Sequence, residues 1–257
     1  MLEYVTMRLI RKFLVPHALL RRLRRGVPGY FQPTLAQFEP EARLDAFWDH
    51  FAEQGVSTRD CTFLELGSGA GNGLGYALVA RGAGRCFCFE PYEPFRPERD
   101  QLLRQRVGEE TACRVRRVTR LEEVPPRSVE RVVSTSVLEH VRDFPALLTA
   151  LEPLLAPEAI MLHVVDYRDH FFKYPLHFLQ FSDAVWQRFL DPGNMPRPRI
   201  RDHLEGFAAH GFQVEILKKV VDREAFAPLR HRVHPRFARY SEEDLATTWA
   251  WLWVTRA

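Results

Sequence analysis

The chain has 257 residues, of which 46% are hydrophobic and 27% charged, so it can bury one sizeable core. No apolar run approaches the length needed to cross a bilayer. The net charge of +3 is uneven, because residues 1–25 carry seven basic side chains and one acidic, which leaves the remainder net acidic. A nucleic-acid enzyme more often has a basic stripe on its main domain, so nucleic acid is not the expected partner.

The first 39 residues are predicted to form a basic helical extension. Apolar residues recur at helical spacing from Leu2 to Phe13, and a second short helix is predicted from His17 to Arg25. Charges interrupt the apolar stretch and no small-residue cleavage site follows, so this is not a secretory signal. Two roles stay open for residues 1–25: docking on a partner or on the inner face of a membrane, or covering an active site as a lid.

From residue 40 onwards strands and helices alternate, which indicates a parallel sheet with right-handed crossovers. We therefore predict one α/β domain at 40–257 with a doubly wound sheet. The His-, Phe- and Pro-rich segment 166–198 and the loop 222–240 interrupt this order and are expected to be insertions on the substrate side. The predicted strands lie at 61–66, 85–89, 113–119, 129–134, 159–165, 212–221 and 247–255; the predicted helices lie at 44–55, 72–81, 96–107, 144–155 and 200–211.

The four cysteines predict free thiols rather than a disulfide framework. Cys61, Cys86, Cys88 and Cys113 form no Cys-x-x-Cys pair, and all lie in predicted strands. We expect buried thiols in a reducing cytoplasm, without zinc.

A glycine-dense turn is the strongest signal in the sequence. The apolar strand that begins at Phe63 leads into a Glu-x-Gly-x-Gly-x-Gly run from Glu65 to Gly71, and a helix follows. Glycines there allow a tight turn and close approach of a ligand, and the free N–H groups at the helix start favour electron-rich atoms. The second strand ends at Glu90, the position from which an acid reaches a ribose diol in a βαβ nucleotide site.

The turn does not fit a dinucleotide. A Gly-x-Gly-x-x-Gly pattern fails because Asn72 or Tyr76 occupies its last position, depending on the starting glycine. An acid two residues before Gly67 suits a ligand that has an amino group and a sulfonium charge and lacks phosphates. S-adenosylmethionine is such a ligand, and the alternative is a purely structural glycine turn beside a structural glutamate.

At this point the sequence resembles the class I S-adenosylmethionine-dependent methyltransferases. Within them it is most similar to the small-molecule branch that includes ubiquinone and menaquinone biosynthesis methyltransferases. The resemblance implies a Rossmann-like sheet of seven mostly parallel strands, with one antiparallel strand at 247–255. It covers 40–165 well and 200–255 loosely. Its motifs are Glu65–Gly71, Glu90, the stretch Val132–Val141 that ends in Leu-Glu-His-Val, and Leu154–Pro157.

The resemblance also implies roles for individual residues. Glu65 and Gly67 would face the methionine part of S-adenosylmethionine, and Glu90 would hold the ribose hydroxyls. One position departs from the family. Arg120 stands where the family usually has an acid that contacts the adenine amino group. Glu122 or a backbone group would then have to make that contact. The complete implied cofactor set is Glu65, Gly67, Ser68, Gly69, Gly71, Glu90, Pro91, Glu122, Ser134 and Val137.

Residues that follow the fourth and fifth strands are the candidates for acceptor chemistry, because ligands of such sheets lie beyond the carboxyl ends of the strands. His140, Asp166 and His170 are the predicted catalytic residues, and Tyr167 and His177 are predicted to contact the acceptor. His140 could instead be a loop histidine, and the aromatic run after residue 166 could instead be a lid packed into the core. No metal is predicted, since the spacing of the histidines and acids matches no closed site.

The predicted function is methyl transfer from S-adenosylmethionine to an oxygen, or less favourably a nitrogen or carbon, of a small-molecule or lipid- or sugar-linked acceptor. The alternatives are a non-catalytic S-adenosylmethionine-fold binding protein and an RNA methyltransferase. A second basic cluster between Arg223 and Arg239 is either a solvated face or a contact for an acidic acceptor.

Overall fold

A seven-stranded sheet organises the molecule. The computed structural model describes residues 1–14, 40–171, 173–191, 193 and 195–257. The predicted helix at 17–25 lies outside these residues. The strands are β1 (Thr62–Leu66), β2 (Arg85–Phe89), β3 (Val115–Val118), β4 (Val129–Thr135), β5 (Leu155–Asp166), β6 (Phe212–Val221) and β7 (Thr247–Arg256).

The strand order is β3-β2-β1-β4-β5-β7-β6. The pairs from β3 to β5 are parallel, while β7 runs antiparallel to both β5 and β6. The order reverses direction between β1 and β4, which places a crevice at the carboxyl ends of these two strands. The predicted fold class, including the antiparallel strand near the C-terminus, is confirmed.

Helices cover both faces of the sheet, as the strand–helix alternation predicts. Two π-helical turns, Ile10–Leu14 and Trp186–Leu190, extend the helices α1 and α7. The helices are α1 (Leu2–Leu9), α2 (Pro40–Glu53), α3 (Gly73–Ala80), α4 (Pro97–Val107), α5 (Glu109–Ala112), α6 (Phe144–Leu151), α7 (Asp183–Val185), α8 (Ile200–Ala209), α9 (Arg223–Phe226) and α10 (Glu242–Ala246).

The central strands bury side chains on both faces, which explains their nearly continuous apolar runs. In β1, Phe63 lies in the cluster that includes α2 and α3, while the next residue, Leu64, lies in the cluster that includes α6 and α8. In β4, Val133 lies in the same cluster as Phe63, and Val132 lies in the same cluster as Leu64. Successive residues of a strand point to opposite faces, so each strand contributes to two cores.

The cysteine prediction is confirmed in part. Cys61, Cys86 and Cys88 are free and buried. The expectation of a buried thiol is wrong for Cys113, which is free and exposed. The reason is that Cys113 ends the short helix α5 and precedes β3 instead of lying within it.

Candidate active site

The glycine turn after β1 is held between two neighbouring elements. The amide of Gly67 donates to the carbonyl of Phe89 at the end of β2 (2.8 Å). Gly67 has φ +73°, and a Cβ placed on it would lie 2.4 Å from Val137 Cγ2. Only glycine therefore suits this position without strain or displacement. Val137, which follows β4, thus lies directly against the turn.

Glu90 organises the turn through its carboxylate. Oε2 accepts a hydrogen bond from the amide of Gly69 (2.9 Å), and Oε1 accepts from the amides of Tyr92 (2.9 Å) and Glu93 (3.0 Å). The side chain is nearly buried, with 9% exposed. A carboxylate offers about four acceptor positions, so these three backbone bonds leave capacity for a hydroxyl of a ligand.

The helix that follows the turn is fixed by Asp100, which the sequence analysis did not single out. Its Oδ1 accepts from the amide of Asn72 (2.8 Å), and its Oδ2 accepts from the hydroxyl of Tyr76 (2.7 Å). Burial and the bond to Asp100 raise the pKa of Tyr76 to about 12, so this phenol stays protonated and keeps donating. Asp100 comes from α4, and no local pattern there predicts a contact with α3.

Arg117 was also missed. From β3 its guanidinium donates to Ser68 Oγ (3.1 Å) and to the carbonyl oxygens of Gly69 (2.8 Å) and Glu93 (3.2 Å). It therefore ties the glycine turn to the loop after β2. Nothing in the local sequence distinguishes it from its neighbour Arg116, since only the pairing of β3 with β2 brings it to the turn.

Two further cofactor candidates are exposed after the ends of β2 and β3. Pro91 follows Glu90 and is exposed, and Glu122 is exposed in the 3₁₀ turn Leu121–Glu123 after β3. Glu123, the next residue, is held in place because its carboxylate accepts from the amides of Thr119 and Arg120. Glu122 is therefore the acid of this turn that a ligand can reach.

A second group of side chains lies at the carboxyl ends of β4 and β5. Glu139, His140 and His170 each offer one N or O atom, and these atoms all lie within 4.8 Å of one another. The two imidazole rings meet edge to face with centroids 4.8 Å apart. The structure thus brings together the two predicted catalytic histidines, separated by 30 positions in the chain, and adds Glu139.

Burial changes the protonation behaviour of this group. Desolvation, with a smaller effect from His140, lowers the pKa of His170 to about 3. Unlike an ordinary histidine, this ring is therefore neutral at physiological pH and is a weak base. Desolvation, followed by the nearby charge of Asp166, raises the pKa of Glu139 well above its ordinary value.

Asp166, the third predicted catalytic residue, is engaged by its neighbour Arg168. Its Oδ1 accepts from the Arg168 amide (3.0 Å) and Nε (2.8 Å), and its Oδ2 accepts from a terminal nitrogen of the guanidinium (2.7 Å). The carboxylate is nearly buried. A bidentate arginine stabilises the ionised form, so this side chain acts as a fixed negative charge near both Glu139 and His170.

Two residues that were predicted to contact a ligand instead form hydrogen bonds inside the protein. Ser134, 1% exposed, shares a hydrogen bond with His163 Nδ1 (2.8 Å), and Tyr167, 2% exposed, shares one with His203 Nδ1 (2.8 Å). Desolvation lowers the pKa of His163 to about 3 and that of His203 to about 4. The structure therefore places both side chains in the core, where their polar atoms are engaged by buried histidines.

The aromatic insertion after β5 is covered by the N-terminal helix. In α1, Tyr4 and Arg8 are fully buried, and both reach Asp169, itself fully buried. Arg8 also lies over the Trp186 ring, 4.9 Å from its centroid. His177, predicted to contact the acceptor, packs against the Tyr4 ring instead (centroids 5.5 Å apart). Of the two roles open for the N-terminal segment, this packing favours the lid.

The second basic cluster is largely neutralised by the chain itself. Arg223 and Arg230 pair with Glu243 and Glu242 in α10. Arg236 pairs with Asp183. Arg239 pairs with Asp202 and Glu205. These mostly exposed pairs support the interpretation as a solvated face rather than a contact for an acidic acceptor.

The comparisons with known proteins agree with this geometry. A family model described as "Methyltransferase domain" matches residues 16–217. The chain belongs to this methyltransferase family. It is an enzyme that transfers a methyl group. No curated protein matches the sequence of this methyltransferase significantly.

Solved structures share the fold of the methyltransferase at low sequence identity. An S-adenosylmethionine-dependent methyltransferase from Mesorhizobium loti is 15% identical, with 83% of this chain and 100% of that chain covered and a TM-score of 0.51. Geranyl diphosphate C-methyltransferase from Streptomyces coelicolor is 16% identical (84% and 76% covered, TM-score 0.54). Phosphoethanolamine N-methyltransferase 2 from Haemonchus contortus is also 16% identical, but the match spans only 52% of that chain (84% of this one, TM-score 0.53).

The glycine turn of the methyltransferase leaves room for a ligand. Gly69 has φ +68°, and a Cβ placed on it would meet no atom within 4 Å, so open space adjoins the backbone there. Glu90 keeps acceptor capacity beside that space, and Glu65 is buried one residue before the end of β1. None of the helices in the described part of the methyltransferase is long and apolar enough to cross a membrane.

Proposed function

We propose that this enzyme transfers the methyl group to a hydroxyl oxygen of a small-molecule or lipid- or sugar-linked acceptor. The observation that carries the proposal is the group Glu139–His140–His170, which stands at the carboxyl edge of the sheet next to the glycine turn. Val137, two residues before Glu139, packs directly on Gly67. The turn and the group therefore border one crevice.

The cofactor half of the proposal assigns the turn and the strand ends. Glu65 and the glycines of the turn would hold the methionine part, Glu90 the ribose, and Ser68, Pro91 and Glu122 the outer rim. S-adenosylmethionine supplies a methyl group already activated by a sulfonium leaving group. The protein therefore has to align the acceptor and, for a hydroxyl, remove a proton.

In the acceptor half, His140 is the base. His170 is too weak a base to compete, since burial lowers its pKa to about 3, and Asp166 is held by Arg168. His170 instead contacts His140 edge to face and limits the orientations that its ring can take.

The Leu-Glu-His-Val stretch favours an acceptor like those of the ubiquinone and menaquinone methyltransferases. In this proposal the imidazole of His140 lies where the phenolic hydroxyl of such an acceptor would bind. The RNA alternative is less favoured, since the domain outside the N-terminal segment is net acidic. Transfer to nitrogen or carbon would not need His140 to take a hydroxyl proton.

The test is product discovery. The purified enzyme is incubated with a metabolite extract and S-adenosylmethionine carrying a ¹³C-labelled methyl group, and labelled products are identified by mass spectrometry and NMR. An O-methyl carbon resonance supports the proposal, whereas label on nitrogen or carbon contradicts it. The His140→Ala variant in the same extract should lose most of the labelled product.

A further inference from the structure

The turn after β4 and the bend after β5 bring three metal-binding types of side chain together. Glu139 and His140 lie in the 3₁₀ turn Leu138–His140, and His170 lies four residues beyond the end of β5. One ligand atom from each lies within 4.8 Å of the other two. Ligands about 2.0–2.2 Å from a metal lie roughly 3–3.6 Å apart, so small side-chain rotations would close this set around an ion.

Glu139 gives a second, independent indication of a cation. Its side chain is 2% exposed. The backbone amides of Glu139 and Asp166 and the side chain of Ser136 interact with the carboxylate, but none makes a well-oriented hydrogen bond within 3.5 Å. A buried carboxylate so weakly satisfied is costly unless it binds a proton or a cation. The two nearby imidazoles are neutral donors of the kind that accompany a carboxylate in metal sites.

The surrounding charges come from three elements. Asp166 at the end of β5 is paired with Arg168. Asp169 is paired with Arg8 of α1. Arg11, beyond the end of α1, also acts electrostatically on His170. Arg168 and Arg8 each pair with a carboxylate, which partly neutralises the basic side chains near this group.

From this geometry we infer that Glu139, His140 and His170 bind a first-row divalent transition metal such as Zn²⁺ or Mn²⁺. Two imidazoles with one carboxylate suit these ions better than Mg²⁺ or Ca²⁺, which prefer oxygen ligands. Three protein ligands leave coordination positions open toward the crevice. In the metal-bound enzyme His140 would act as a ligand and not as the base. An acceptor hydroxyl bound to the metal would instead lose its proton more readily to water in the crevice. This last role rests on the proposed function, whereas metal binding does not.

The experiment is calorimetric titration of the metal-stripped full-length chain with ZnCl₂ and with MnCl₂. One equivalent of metal should bind, and Glu139→Gln, His140→Ala and His170→Ala should each weaken binding by more than about tenfold. Co²⁺ should give a visible absorption spectrum that is lost in the same variants. His210→Ala is the matched control, since that ring bonds to the carbonyl of Gly206 in its own helix and should leave metal affinity unchanged.

Circular dichroism and S-adenosylmethionine affinity verify that each variant is folded. Absence of stoichiometric binding, or binding that all three variants retain, would overturn the inference and leave Glu139 as a protonated acid. The two proposals fail separately. Metal binding without any O-methylated product overturns the proposed function alone, and full O-methyl transfer by stripped enzyme in chelator, with no metal bound on titration, overturns the metal site alone.

Discussion

The two halves of the crevice are built in different ways. Around the glycine turn, most contacts join backbone groups to a few side chains, such as Glu90 with three amides. On the acceptor side, the aromatic insertion after β5 packs through side chains from distant parts of the chain, such as Tyr4 and Trp186. A ligand that a whole family shares can be bound by a backbone of fixed conformation. An acceptor that is particular to one enzyme requires its own set of side chains.

Gly67→Val should have the largest effect on the cofactor half. The position needs φ +73°, and its first side-chain atom would overlap Val137, so the turn has to move and S-adenosylmethionine binding should become undetectable by calorimetry. Gly55→Val is the matched control, because Gly55 has φ +66° but no atom within 4 Å of an added Cβ. It should lose stability through backbone strain yet bind the cofactor normally. Equal cofactor affinity in both variants would contradict this description of the turn.

Asp169→Asn tests the acceptor half. The change leaves the Arg8 guanidinium buried without its counter-charge, so the free energy of unfolding should fall by roughly 3–5 kcal/mol in urea denaturation. Glu3→Gln is the control, because it removes an ion pair with Lys173 that joins the same two elements but is exposed to solvent. Its effect should be under about 1 kcal/mol. Comparable losses would mean that α1 is not anchored through Asp169.

The same contrast explains what the sequence could predict. The strand bounds at 85–89 and 212–221 are reproduced because long apolar β-rich runs ended by turn residues leave little choice of element. The glycine turn was readable because its residues are adjacent in the chain. Arg117 and Asp100 were not, since ordinary charged residues acquire a role only when β3 and α4 pack beside the turn.

On the acceptor side, the sequence predicted His140 and His170 by their position after strands, but not their environment. The low pKa of His170 results from burial, and Arg11 and Arg8 of the N-terminal segment lower it further, although no local pattern specifies where that segment packs. Likewise Ser134 and Tyr167 follow the expected strands, yet their polar atoms bond to His163 and His203 in the core. Position at the end of a strand therefore does not determine whether a polar side chain faces the crevice or bonds to a partner in the core.

Acid stability should show the smallest effect. His163 has a pKa of about 3 in the folded state and an ordinary 6.5 when unfolded. The unfolded chain therefore binds more protons between these values, so stability is retained above pH 6.5 and falls as the pH is lowered. His163→Asn keeps an acceptor for Ser134 but does not titrate. The slope of unfolding free energy between pH 6 and 4 should be shallower in the variant by about 1.4 kcal/mol per pH unit. Identical slopes would show that His163 is not buried in the neutral form.

The separation of a cofactor half from an acceptor half is tested most directly by a crossed pair of variants. Turnover at saturating S-adenosylmethionine and cofactor affinity are measured for His140→Ala and Glu90→Gln, with the unmethylated hydroxyl acceptor as substrate. His140→Ala should lower turnover by roughly a hundredfold or more and leave cofactor affinity unchanged. Glu90→Gln should weaken cofactor binding by about 1–3 kcal/mol and retain most of the turnover at saturation. If His140→Ala loses cofactor affinity, or if Glu90→Gln loses turnover at saturation to the same degree, the two halves do not act separately and the account is contradicted.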